Sequence, residues 1–141
     1  MLNKIPAILS PELMKTLMEM GHGDEITFGD ANFPVMAHAN RVVRADGLLI
    51  PDLLKAVMEF LPLDHYNDWQ YALCDTVGDD PTPSVWSQYD SIIKAVDPGA
   101  VVKYVERFDF YDLARRSHTT VLTGETALYG NIVLRKGVVV I

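Results

Sequence analysis

Apolar residues in this chain recur first at helical spacing, then at strand spacing, and the period changes back and forth until the end. A chain patterned this way is neither a helix bundle nor a β-sandwich, because each of those keeps a single period throughout. The alternation predicts an α/β fold, with a central sheet covered by helices. A length of 141 residues sets this as one domain over residues 1–141, large enough to bury a core and too small to divide.

The first helix carries the clearest punctuation. Ser10 has an N-cap side chain, Pro11 suits the first helical position, and Glu12 complements the positive end of the helix dipole. Leu13, Leu17 and Met20 share one face, with Met14 and Met18 beside them, and Gly21 is placed as the left-handed residue that ends the helix. A strand at Glu25–Phe28 runs into the turn-rich tetrad Gly29-Asp30-Ala31-Asn32. Further strands are predicted over 41–44, 69–77, 101–106, 119–123 and 132–134. Further helices are predicted from Pro51 through Leu61, from about 84 to 96, and from Phe110 to Arg116. The segment 78–83, rich in Asp and Pro, is a loop. Lys136-Gly137 is a turn, and the apolar tail Val138–Ile141 reads equally as a strand in a subunit interface or as an intramolecular edge strand.

A net charge of −7 argues against nucleic acid or an anionic membrane as the main partner, since both demand clustered Lys and Arg. No apolar run approaches the length of a membrane span. Pro6 and Ser10 interrupt the short apolar stretch near the start before it reaches the length of a signal-peptide core. The single cysteine, Cys74, excludes an intrachain disulfide and suits a reducing compartment, so a cytoplasmic location is expected.

Polar residues gather at three places. In Gly21-His22-Gly23-Asp24 the two glycines leave the His22 ring uncovered, and an ordinary imidazole titrates where protons can move both ways near neutrality. The plain reading is a surface histidine after a glycine cap. Asp30 directly follows a short apolar strand, and ligand sites in α/β folds collect at the carboxyl ends of strands. It can accept hydrogen bonds from sugar hydroxyls, hold His22 in orientation, or simply close a turn on its own backbone. Arg107 follows the strand-like VVKYVE, and Tyr129-Gly130-Asn131 precedes IVL; Arg, Asn and Tyr together supply donors and acceptors suited to hydroxyl groups. Here too a plain reading exists, with Arg107 paired to an acid and Gly130-Asn131 a turn. The four histidines and Cys74 show no zinc-ligand spacing, so no metal site is expected. No phosphate-binding glycine loop and no nucleophile elbow is present.

Taken in register, the segments SPELMKTLMEMGHGDEITFGDANFP, RVVRADGLL, RFDFYDLARR and TGETALYGNIVLRKGV resemble the L-fucose mutarotase and ribose pyranase family along nearly the whole chain. The resemblance implies a compact α/β domain that interconverts cyclic forms of free monosaccharides without metal or cofactor. By motif it implies His22 as the catalytic group, and Asp30, Arg107, Tyr129, Gly130 and Asn131 as the sugar-binding set. Arg107 and the Tyr-Gly-Asn triplet follow the fucose branch, implying L-fucose as substrate. Ribose pyranase chemistry and a non-catalytic sugar-binding module are the alternatives. The resemblance also implies a ring-like homo-oligomer, possibly a decamer, with pockets completed by a neighbouring subunit. The stretch Val35–Asn40 matches nothing in that pattern.

Overall fold

The computed structural model describes residues 1–141. Its elements follow in the order α1 (Pro11–Glu19), β1 (Glu25–Gly29), α2 (Val35–His38), β2 (Val42–Ala45), α3 (Ile50–Val57), β3 (Tyr71–Cys74), α4 (Val85–Val96), β4 (Val102–Val105), α5 (Arg107–Arg116), β5 (Thr119–Thr123) and β6 (Ile132–Arg135). The six strands form one sheet in the order β2-β5-β1-β6-β3-β4. β1 pairs parallel with β5, as β5 does with β2, and β3 pairs parallel with β4. β6 runs antiparallel to both β1 and β3. Five strands therefore point one way, and their carboxyl ends share an edge with the amino end of β6.

Both sheet faces are covered, and the central strands show it. β1, β3 and β5 are buried at every position rather than at alternate ones. One face packs Ile26, Phe28, Tyr71, Leu73 and Val121 with residues of α1, α3 and α4. The other packs Ala72, Cys74, Leu122 and Val133 with Phe110, Leu113 and Ala114 of α5. At the amino end of β1 the buried Glu25 is held by two guanidiniums, Arg135 at 2.7 Å and Arg116 at 3.2 Å. A buried carboxylate is tolerated only with such partners.

Local expectations hold where the signal is a cap. The Ser10 hydroxyl accepts the Leu13 N–H at 3.1 Å, and Pro11 opens α1. They fail where a later contact decides. Met20, in extended backbone, ends α1, and the left-handed glycine is Gly23 (φ 85°) rather than Gly21, because the chain turns two residues later to meet Lys136. α3 stops at Val57 instead of Leu61, the strand expected over 69–77 is only Tyr71–Cys74, and α5 begins three residues early. The early start of α5 follows from Glu106, whose carboxylate caps the N–H groups of Phe108 and Asp109. The tail Val138–Ile141 forms no strand and is exposed. The unmatched stretch contains the one-turn helix α2, which packs Val35 against α5.

Candidate active site

The shared edge of strand ends gathers five of the six expected residues. Asp30 leaves β1, Arg107 opens α5 just beyond β4, and Tyr129-Gly130-Asn131 leads into β6. The Asp30 N–H donates to Asn131 Oδ1 at 2.7 Å, and Asp30 Oδ1 accepts the Asn32 N–H at 2.8 Å. Burial pushes the Asp30 carboxyl above its ordinary range; hydrogen bonds from Asn32 and Asn131 oppose this, the negative charge of Glu125 adds to it, and the net direction is upward. Gly29 is needed here because a Cβ would lie 2.7 Å from that of Phe33. Thr123 donates its hydroxyl to the Gly29 carbonyl at 2.8 Å, and Glu125 takes the N–H groups of Thr126 and Ala127.

The triplet is held from behind by α4. Tyr129 adopts φ 56°, a left-handed conformation that costs a non-glycine residue about 1–2 kcal/mol. Trp86 Nε1–H donates to the Tyr129 carbonyl at 2.9 Å, and the Tyr89 hydroxyl donates to the Gly130 carbonyl at 2.8 Å. Residues 86 and 89 lie three apart, so one helix face grips two successive carbonyls. The Tyr129 hydroxyl donates to Asp80 and accepts the Val77 N–H at 3.2 Å, fastening the 77–80 loop to the site. The hydrogen bond to Asp80 raises the Tyr129 phenol above its usual value.

Arg107 is exposed and forms no ion pair, so the plain reading of a structural pair does not apply. Behind it Cys74 is buried; burial foremost, and then Glu106, push its thiol up to about 11 against the opposing charge of Arg107, which keeps it neutral.

His22 is the residue that this edge does not receive. It lies in the loop between α1 and β1, at the opposite end of the sheet. There the Gly21 N–H donates to Asp24 at 2.7 Å and the Gly23 N–H donates to Lys136 at 2.8 Å. The five residues of β1 separate the two places, a rise of about 17 Å. One chain's imidazole and its own Asp30 cannot touch one monosaccharide. The orienting role expected of Asp30 toward His22 is therefore corrected. Asp64, just before β3, bonds His22 Nε2 at 3.0 Å. Nothing in the sequence singled out Asp64, which is one acid among several in a polar loop, and likewise nothing marked Trp86 and Tyr89 as more than core aromatics. Of the other histidines, His38 stacks on Tyr111 and accepts from Arg115, and His65 bonds Asp97 at 2.6 Å. No three His, Cys, Asp or Glu side chains converge as a set able to hold a metal ion.

A mixed sheet covered on both faces, with a carboxylate, a carboxamide, a phenol and an unpaired guanidinium at its strand ends, defines an α/β domain with a polar rim. The chain belongs to the RbsD / FucU transport protein family, which it matches over residues 3–139. It is 46% identical over 145 residues to a human fucose mutarotase, covering 97% of this chain and 94% of that one. Its structure superposes on that of a fucose mutarotase from Streptococcus pneumoniae in complex with L-fucose. The TM-score is 0.94 at 44% identity, covering 99% of this chain and 100% of that one. A FucU protein from Bifidobacterium longum gives a TM-score of 0.92 at 39% identity, covering 96% and 99% of the two chains.

Proposed function

We propose that this chain is an L-fucose mutarotase, an isomerase that exchanges the α and β anomers of the free sugar by general acid/base ring opening. What carries the reading is the near-complete superposition on an L-fucose-bound mutarotase. The curated relatives named as fucose mutarotases, at 43–46% identity, support it.

In this mechanism Asp30, Arg107 and Asn131 bind the hydroxyl groups, Tyr129 and Gly130 wall the ring, and His22 moves the protons. The anomeric hydroxyl loses its proton to the imidazole, the bond from C1 to the ring oxygen breaks, and the ring oxygen is protonated. The aldehyde face rotates, and closure by the reverse transfers gives the other anomer. No electrons change hands and no covalent enzyme intermediate forms. Because β1 holds His22 and Asp30 apart, the imidazole serves the rim of a neighbouring copy, in a ring-like homo-oligomer that extends to a decamer. Exposed Met1, Leu2 and Met18 near the start and Val139–Ile141 at the tail supply apolar surface for such contacts. No helix is long and apolar enough to cross a membrane, and the lone buried thiol suits the cytoplasm.

Saturation-transfer proton NMR on equilibrated L-fucose tests this directly. Enzyme-dependent transfer between anomeric signals is expected, and His22→Ala abolishes it while the fold is kept. Co-producing His22→Ala and Asp30→Ala chains, purified through two different tags, restores activity at roughly a quarter of the sites if each site draws on two subunits. No recovery in assembled mixtures overturns the shared site. No L-fucose transfer, with ribose pyran–furan exchange instead, moves the reading to a pyranase. Sugar binding without any exchange leaves a binding module.

A further inference from the structure

Tyr89 lies in the middle of α4 with no exposed surface, and its hydroxyl donates to a single partner, the Gly130 carbonyl at 2.8 Å. Burial foremost, and then the negative charges of Glu125 and Asp30, push this phenol upward, so the hydroxyl keeps its proton and stays a donor. Gly130 brings no side chain to the rim. A Cβ there would lie 2.9 Å from the Ala127 carbonyl oxygen and 3.4 Å from the Tyr89 hydroxyl. What this turn offers a ligand around residue 130 is therefore backbone.

The two peptides of the turn are used differently. The one joining 129 to 130 is spent at both ends: its carbonyl takes Trp86 Nε1–H at 2.9 Å, and the Gly130 N–H donates to Ala127 at 3.1 Å. In the one joining 130 to 131, Tyr89 holds the carbonyl. Every peptide bond in the chain is trans, so the N–H at the other end of that peptide points away from α4. This is the Asn131 N–H, and it has no acceptor within the chain. It sits beside Asp30, whose own N–H occupies Asn131 Oδ1 at 2.7 Å. A half-buried backbone donor without a partner is a group a ligand can satisfy.

We infer that Tyr89 is a positioning residue for sugar binding, fixing the plane of the 130–131 peptide so that the Asn131 N–H is presented as a donor to a sugar hydroxyl. This rests on the placing of residues 129–131 in the sugar-binding set. Tyr89 touches no sugar; it acts through one peptide, from the opposite side of the turn. A contact made equally before and during ring opening affects KM rather than kcat.

The experiment uses full-length protein labelled with nitrogen-15 asparagine and titrated with L-fucose, with saturation-transfer NMR giving KM and kcat. In wild type the Asn131 amide proton moves downfield on binding. Tyr89→Phe, which keeps the ring, loses that shift and raises KM about tenfold with kcat unchanged. Tyr71→Phe is the comparison, since it removes another buried phenol, bonded to Asp90 at 2.6 Å. It lowers the unfolding midpoint and leaves KM alone. An unchanged KM in Tyr89→Phe, or an equal rise in Tyr71→Phe, overturns the role of Tyr89. So does wild-type exchange with the Asn131 amide unmoved. An amide shift without any L-fucose exchange in wild type counts against the mutarotase reading and leaves Tyr89 its role. Absence of both overturns both.

Discussion

Asp30 and Asp64 are two carboxylates drawn out of solvent at opposite edges of one sheet, and their surroundings push them in opposite directions. Asp64 is given three donors and ionises more readily than usual. Asp30 is pushed the other way by burial, with no cation bonded to it and Glu125 nearby. The first carboxylate has three donors within the chain, whereas the second accepts the N–H of Asn32 and belongs to the proposed sugar-binding set. The same contrast runs through their neighbours. The His22 end is closed by local hydrogen bonds, whereas the Asp30 end holds Tyr129 in strained backbone and leaves Arg107 without an acid. Strained backbone and an unpaired cation at one edge, against closed hydrogen bonding at the other, support the proposed placing of the sugar at the Asp30 edge.

Breaking the rim has the largest expected effect. In Gly130→Ala the new Cβ meets the Ala127 carbonyl at 2.9 Å and Glu125 Cγ at 3.1 Å, so the triplet must shift. Overpacking of this kind costs about 1–3 kcal/mol of stability. Exchange falls on the order of a hundredfold, as for a catalytic array displaced by an ångström, which unfolding curves and NMR exchange measure separately.

The two aspartates then give a matched pair. Asp30→Asn weakens L-fucose exchange by about tenfold to a hundredfold, the loss of a charged hydrogen bond, yet raises the melting temperature at pH 7. Asp64→Asn lowers it, by about 1–3 kcal/mol in unfolding free energy. A drop in melting temperature for Asp30→Asn would remove the contrast.

The pH dependence sharpens it. Because folding lowers the Asp64 value, its contribution is complete above roughly pH 4 and is lost as pH falls through the folded value. Folding raises the Asp30 value, so stability declines as pH rises from roughly pH 4 through that raised value. Denaturation midpoints against pH should show a weaker acid limb for Asp64→Asn and a higher neutral plateau for Asp30→Asn. The smallest effect is expected from Trp86→Phe. It removes one donor to the Tyr129 carbonyl and costs about 1 kcal/mol, read as a higher KM with kcat near wild type.

The amino-acid sequence alone determined the α/β class, the Ser10 cap, the β5 strand over Thr119–Thr123 and the polar gatherings around His22, Asp30, Arg107 and Tyr129-Gly130-Asn131. All of these rest on signals only a few residues long, namely period, caps and strand-end position. What only the tertiary structure decided is long-range. β6 runs against its neighbours and so brings residues 129–131 beside Asp30. Asp64 meets His22 across 42 positions, and Trp86 and Tyr89 reach forward to hold the triplet. The separation of His22 from Asp30 by the length of β1 is likewise invisible to motif spacing, because eight residues apart in sequence become opposite edges of a sheet once the segment between them is extended. Local chemistry selects which residues can act, and the direction of each strand selects which of them meet.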